Sequence, residues 1–455
     1  MNLAQINIAK DAEFVALNGM NSQADVTNLG TMYLGHDKND RTISTSAVQV
    51  KDYVGGASST LVFNGQLGGD NSPFERLTVT GDASGSSIIE INNIGGRGAK
   101  TVNGIKLVEV QGASDATFAL KDPISLGAYD YYLEKVLKDW YLKSALKPET
   151  GVLVSHLWAA NQLFDLNLAD RIGDPSLNGD DPTRKNLPVW VKVRYDKLKW
   201  RDEEGVFDND INTRSIQLGG DFGSWKDSYG NRWQLGAMGA YGTANIGATN
   251  LDSDFNANGK LSGFNVGLYA TVFGAKNWYV DSWLAWNEFK GELKGQNAMS
   301  YALNGVTASL ESGYSYQWFN TNGYDVFIQP KAQLTWFGVG IDGDHLTYLD
   351  TELNGEGENL RSKLSARLYA KPKDLNGVEF QPFFEAGWIH NSKPYGIKLG
   401  DKQVTMAGIR NTGEIKLGFE AQIAHQTDLW LNTAYQFGGQ GYRQLTAQVG
   451  MSYRF

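Results

Sequence analysis

The chain contains no cysteine. A disulfide framework and thiolate metal sites are therefore excluded. A polypeptide that must thread a narrow pore does well without disulfides, though many soluble proteins lack cysteine too. Long apolar runs are also missing. No stretch of about 18 consecutive apolar residues occurs, so no transmembrane helix is predicted. Mean hydropathy is low, at −0.36. A membrane is not thereby excluded, because a barrel strand needs only about 10 alternating residues and its lumen face stays polar. Positive charge is outweighed: 41 Lys and Arg face 50 Asp and Glu, a net charge of −9. That balance argues against a nucleic-acid partner. The opening MNLAQINIAKDAEFVALNG has no apolar core of about 7–15 residues, so it is not a signal peptide. For an exported protein this predicts that the sequence is a fragment or that its start is misplaced.

Catalytic signatures are missing as well. The five histidines (His36, His156, His345, His390 and His425) are scattered, with no HExxH. Neither a GxSxG elbow nor a GKS/T phosphate loop occurs. GGRGAK is glycine-rich but lies between short strands and reads as a turn. Glu385, Glu414 and Glu420 could share a proton, yet structural ion pairs use carboxylates in the same way. No catalytic, cofactor-binding or metal-ligating residue is predicted, and the chain is read as not an enzyme, with self-cleavage left open.

Glycine (53) and aromatic residues (12%) are plentiful, and they are spread over three regions. Residues 1–143 carry short apolar runs between Gly-, Asn-, Asp- and Ser-rich turns, such as EFVAL, ERLTVTG and GIKLVEVQG. The turn-delimited units run roughly 15–25 residues, the pattern of stacked β-solenoid coils. From periodicity alone a β-sandwich remains a rival. Residues 144–187 form a linker. Within it, GVLVSHLWAANQLFDLNLADRI (151–172) is the one long helical pattern, with Gly173 as its stop. The linker then runs on as GDPSLNGDDPTRKNLP.

From 188 to 455 strand after strand alternates. Twelve segments are counted: 188–199, 214–224, 232–245, 260–273, 277–291, 302–318, 324–338, 359–371, 379–390, 413–423, 428–437 and 443–455. The number is even, and the predicted connections alternate between about 11–22 and about 3–7 residues, as in bacterial outer-membrane barrels. Pro330 and Pro382 fall inside strands, which predicts a bulge or a missing ladder bond at each. Aromatics near strand ends (Trp190, Trp200, Trp225, Trp233, Trp318, Trp336 and Trp388) suit interfacial girdles. Several suit lumen positions equally, and none is assigned. The last strand, RQLTAQVGMSYRF, puts Leu445, Val449, Met451, Tyr453 and Phe455 on one face and Gln444, Thr446 and Gln448 on the other. Termini are usually frayed and polar, so this one is expected to be in use.

The order of solenoid, single helix and twelve-strand barrel ending in Phe resembles the classical (type Va) autotransporters, in particular their AIDA-I-like adhesin branch. LVFNGQLGGDNSPFERLTVTGDASGSSIIEINNIGG and the sequence up to ATFAL resemble the passenger stem with its autochaperone region. LGAYDYYLEKV and WYLKS resemble the end of that stem, and LWAANQLFDLNLADRIGD the linker helix. LGGDFGSW, GLYATVFG, FIQPKAQLTW, FFEAGWIHNSKPYGIKL and GIRNTGEIKLGFEAQI resemble barrel strands.

The fold expected is therefore all-β: a pertactin-like β-helix stem, one pore-threading helix and a twelve-stranded antiparallel transmembrane barrel. The resemblance implies a type V secretion translocator in the outer membrane of a Gram-negative bacterium, exporting and anchoring its own passenger, an adhesin or self-association factor. The passenger stem would lie at the cell surface and the C-terminus in the periplasm. Implied partners are outer-membrane lipid, the barrel assembly machinery, periplasmic chaperones, the passenger itself and host or neighbouring-cell surfaces. Alternatives are a passenger released by autoproteolysis as a secreted virulence factor, a plain porin and a barrel enzyme.

Relatives that cut between adjacent Asn residues in the helix would need a pair where this chain has Asn161-Gln162. Leu157, Trp158, Asn161, Gln162, Phe164 and Asp165 are expected on the pore helix. Lys192, Arg194, Glu311, Lys331, Arg361, Lys363, Arg367, Glu385, Glu414, Lys416 and Glu420 are expected on the lumen wall. Val449, Met451, Tyr453 and Phe455 are the expected C-terminal assembly signal.

Overall fold

The computed structural model describes residues 4–173, 187–253, 255–295, 298–341, 346–348, 351–373, 379–424 and 426–454. Two compact units are present, one built on Met1–Lys147 and the other on Pro148 onward, apart from two short loop pieces.

The first unit is a parallel β-solenoid. Its short strands stack into separate parallel ladders, such as Val48–Val50 on Leu77–Val79 on Ile105–Val110. Thr60–Gly65 lies in the same way on Ala83–Asn93. Val48 pairs with Leu77, and Leu77 with Val108, so one coil takes about 30 residues. The turn spacing in the sequence suggested less. The reason is that each coil contributes strands to more than one ladder and has several internal turns. Side chains pointing inward from successive coils build the core: Val50, Leu61, Phe63, Leu77, Val79, Ile89 and Leu107 are fully buried. The stack ends in a hairpin, Tyr129–Val136 with Asp139–Leu146, which pairs antiparallel on Ile105–Val110.

In the second unit two helices precede an antiparallel barrel. Helix α1 is Glu149–Gln162 and α2 is Leu168–Ile172. The barrel strands, labelled β1–β12, are Pro188–Trp200, Phe207–Lys226, Arg232–Asn250, Asn256–Phe273, Trp278–Lys294, Met299–Tyr314, Tyr324–Phe337, Asn359–Pro372, Glu379–Asn391, Asn411–Ala424, Thr427–Gly438 and Arg443–Arg454. Each pairs with its sequence neighbours, and β1 pairs with β12 from Pro188↔Arg454 to Lys199↔Arg443, which closes the sheet. Closure leaves no unpaired edge, the condition for strands to stand in lipid.

The burial pattern is inverted relative to a soluble barrel. On β12, Leu445, Val449, Met451 and Tyr453 are exposed, while Gln444, Thr446, Gln448 and Ser452 are buried. The same holds around the wall, with Leu218, Leu268, Leu284, Leu310, Leu364 and Leu417 all about half exposed. An apolar band of this extent on the outside and a polar inside fit a membrane wall.

Several sequence expectations change. Strands β2–β6 run further than the alternation indicated, so the connections at 201–206, 251–255 and 295–298 are short. Only 338–358 and 392–410 keep the predicted length. The two prolines cost ladder bonds; register is kept across the gap at Pro330, and a bulge follows further along, between Gln317 and Phe319. Opposite Pro330 the ladder to β6 is interrupted between Gly313↔Lys331 and Tyr316↔Ile328, and β6 resumes as Tyr316–Asn320. Gln329 donates to the Ser315 hydroxyl in that gap, at 2.7 Å. Pairing of β9 with β8 stops at Tyr369↔Phe383, next to Pro382, while the β10 side continues past it. Of the strand-end tryptophans, Trp190 and Trp200 point into the lumen and are buried, whereas Trp225, Trp318, Trp336 and Trp388 are exposed. The linker residues 174–186, His345, His425 and Phe455 lie outside the described residues.

Candidate functional site

The site is the barrel lumen and the chain that threads it. All fourteen residues of α1 are buried, apolar and polar alike. A helix walled in on every side needs no amphipathic stripe, which is why its sequence shows none. Four of its polar side chains are instead matched individually by the wall. Ser155 accepts from the Trp200 indole N–H at 3.1 Å. His156 bonds through Nδ1 to the Tyr301 hydroxyl. The Asn161 amide donates to the Val339 carbonyl at 2.9 Å and accepts from the Val339 N–H at 3.1 Å. Gln162 donates to the Tyr395 hydroxyl at 3.0 Å and accepts from Arg361 at 2.9 Å. Leu157 and Trp158 are buried with them.

Glycines on the wall make room for α1. A Cβ on Gly259 (β4) would lie 2.3 Å from Val152 Cγ1 and 2.8 Å from His156 Nε2, and one on Gly242 (β3) 2.8 Å from Leu163. Neither glycine is recognisable from alternation alone, because the requirement comes from the helix and not from the strand. The Gly259→Val variant is expected to lose about 1–3 kcal/mol of helix seating. More frequent channel openings in planar bilayers, with the barrel intact by heat-modifiable migration, would report it.

The expected single helix is broken. Residues 163–167 are non-helical, and α2 restarts with Asn167 as its cap, its Oδ1 accepting from Asp170 N at 2.9 Å. Around the break the wall competes for backbone groups. Gln217 donates to the Phe164 carbonyl, and Trp283 and Gln333 to the Leu166 carbonyl, each at 3.0 Å. Arg194 reaches the Asp165 carbonyl at 3.4 Å. Phe164 stacks on Phe289, with centroids 5.4 Å apart.

The charged residues expected on the wall are all buried in the lumen, but they do two different things. One set ties wall to wall: Lys331–Glu385 and Arg367–Glu420 at 2.6 Å, Arg194–Asp196 at 2.9 Å, and Lys363 with Glu414. A second set ties wall to thread: Arg361–Asp165 at 2.8 Å, Lys416–Asp170 at 3.0 Å and Arg171–Asp281 at 2.6 Å. Glu311 accepts from the Leu168 N–H at 3.2 Å. Lys192 is buried without a hydrogen-bond partner among the described residues. Such pairs offset desolvation rather than add much net stability, but removing one partner strands the other.

Sequence reasoning missed Arg171, Asp281 and the aromatic cluster around α2. Arg171 lies 3.7 Å from the Tyr269 ring centroid. Trp190, Tyr269, Tyr279, Trp283 and Trp430 surround Leu166, Leu168 and Ile172. Four of these rings cover a glycine directly across the ladder: Trp190 over Gly219, Tyr269 over Gly236, Tyr279 over Gly313 and Trp430 over Gly450. The available signal was the coincidence of glycine and aromatic on the lumen parity of neighbouring strands. Among the described residues no cluster of His, Asp and Glu is arranged to hold a metal ion.

Known proteins agree with this architecture. Residues 189–434 match the autotransporter beta-domain, and residues 25–133 match the type 1 autochaperone domain. The uncharacterised protein YdeU of Escherichia coli K12 is 34% identical over 88% of this chain and 96% of its own length. The autotransporter adhesin AIDA-I of Escherichia coli is 33% identical over 90% of this chain, and the alignment covers 34% of the adhesin. YuaQ of Escherichia coli K12 is likewise covered over 35% of its length, so the chain spans about a third of these two longer relatives. The crystal structure of the AIDA-I transport unit superposes with a TM-score of 0.60, at 29% identity, over 68% of this chain and 100% of that one. An autotransporter β-domain covering more than half the chain, preceded by an autochaperone-type stem, places this chain in the autotransporter family, among the AIDA-I-like members of type V secretion.

Proposed function

We propose that this barrel carries its own N-terminal passenger across the outer membrane and afterwards anchors it through the helix left in the lumen. One observation carries the reading: the thread runs the length of the lumen. Glu149 packs against Gly295 at one mouth, and Gly173 lies beside Glu420 and Trp430 towards the mouth that holds Arg454. A barrel with its C-terminus in the periplasm then presents residues before Glu149 to the cell surface. An open porin needs an empty lumen, and the matched polar groups on α1 argue against one. The reading involves no enzymatic step.

The passenger role proposed is adhesion or self-association, by likeness to the relative named an adhesin. The segments 1–143, 144–187 and 188–455 act in this reading as stem, linker and translocator. The stem folds coil upon coil outside, and that local growth biases movement outward.

The C-terminal strand has a second use in this proposal. Before closure, β12 is a free edge, and free edges accept strand addition. The barrel assembly machinery, after periplasmic chaperones, would read it by Val449, Met451, Tyr453 and Phe455. Deleting Phe455 removes one aromatic among many, so a refolded sample should lose no more than about 1–3 kcal/mol. Assembly in cells should fall much further, with protein accumulating in the periplasm. A full-length chain with one tag at the N-terminus and another in the β4–β5 turn at 274–277, which leaves Phe455 terminal, tests the whole reading. Protease added to intact cells should remove the N-terminal tag and spare the one in the turn. Normal assembly without Phe455 would leave that residue a girdle aromatic, and protection of both tags would refute surface exposure.

A further inference from the structure

The thread is not helical throughout: Asp165 N–H closes a turn on the Gln162 carbonyl at 3.2 Å, residues 165–167 form neither helix nor strand, and there the wall presents donors. Gln217 on β2, Arg194 on β1, Trp283 on β5 and Gln333 on β7 reach the carbonyls of three successive residues, Phe164, Asp165 and Leu166. All four donors are buried. Three of the four are held near neighbours that fix their direction. Gln333 also donates to the Ser309 hydroxyl at 3.0 Å, and Arg194 is clamped by Asp196 at 2.9 Å. Trp283 lies in the aromatic cluster that surrounds α2. The carbonyl of a peptide bond is the same whatever the side chain, so these contacts read backbone and not sequence.

A helix is a poor ligand for such donors, because its interior carbonyls are already bonded four residues on. An extended chain is a good one. It leaves its carbonyls free and turns them to opposite sides in alternation, so donors set around the bore meet successive carbonyls as the chain advances about 3.3 Å per residue. α1 ends and α2 begins on either side of this ring.

We propose that Gln217, Arg194, Trp283 and Gln333 form a backbone-reading collar, a binding site for extended polypeptide of any sequence, through which the passenger slides during export and on which residues 164–166 come to rest. The proposal rests on the export reading above. Three of the four donors are neutral amides or an indole, which suits sliding, since each such contact is worth little alone and is replaced as it is lost.

The test uses the full chain with an N-terminal tag and follows, by pulse-chase, the half-time for the tag to become protease-accessible on intact cells. In a Gln217→Leu/Gln333→Leu double variant the half-time should rise about fivefold or more, the effect of losing roughly one hydrogen bond's worth of stabilisation. The yield of heat-modifiable barrel should be unchanged. An unchanged half-time in the leucine variant would overturn the collar and leave export standing. A tag that never becomes accessible in the parent chain would refute export, and the collar with it. If the leucine variant makes no barrel, Gln217→Asn/Gln333→Asn, which keeps polarity but draws each donor back by one methylene, decides by the same half-time.

Discussion

The Leu77→Asp variant is expected to lose its folded stem while keeping a heat-modifiable barrel. Leu77 is fully buried and pairs with Val48 on one side and Val108 on the other. A carboxylate there has no partner and no water. Loss of the leucine packing and burial of the charge together cost about 4 kcal/mol or more. Val79 and Ile89 are equally buried, so Val79→Asp and Ile89→Asp should behave alike. A solenoid is stabilised coil against neighbouring coil, so one broken coil uncouples those on either side. Limited proteolysis of the purified full chain should degrade residues before Lys147 and stop at the barrel. In cells the passenger should reach the surface slowly or be degraded, with normal barrel insertion. Equal loss of both units would show that they do not fold independently.

Removing Glu149–Ile172 should raise single-channel conductance several-fold. A helix with its side chains is about 10 Å across, which is most of the bore of a small barrel. The wall should survive the deletion. Its ladder is continuous from β1 to β12, and Lys331–Glu385, Arg367–Glu420 and Arg194–Asp196 are pairs within the wall. Of the ion pairs named above, those of Arg361, Lys416 and Asp281 lose a partner, and in the opened lumen water reaches these groups and the wall's freed hydrogen-bond donors and acceptors. Planar-bilayer recording of the refolded deletion variant beside the parent chain measures the difference. Equal conductance would mean that the helix does not obstruct the pore.

Both variants separate what local sequence determined from what assembly decided. Alternation over each of twelve segments gave the strand count and the two faces of each strand, because a period of two can be satisfied only by a two-faced wall, while the membrane setting came from the even count and the family resemblance. The lumen positions of Lys192, Arg194, Glu311, Arg361, Lys363, Arg367, Glu385, Glu414 and Glu420 followed from that parity. The solenoid was legible as a class from turn-delimited apolar runs. Its coil length was not, since turns within a coil and turns between coils use the same residues.

Only the tertiary structure decided the rest. The sequence 151–172 reads as one helix because local propensity sees no stop at 163–167. The wall donors Gln217, Trp283 and Gln333 come from strands far along the chain and outcompete the helical bonds there. Which wall charges pair with each other and which hold the thread depends on the ring order of strands and the rotation of α2. That rotation puts Asp170 on Lys416 and its neighbour Arg171 on Asp281. Gly242 and Gly259 are ordinary strand glycines until the thread lies against them. Contacts between elements distant in sequence leave no local periodicity, so they become visible only when the barrel closes around its own chain.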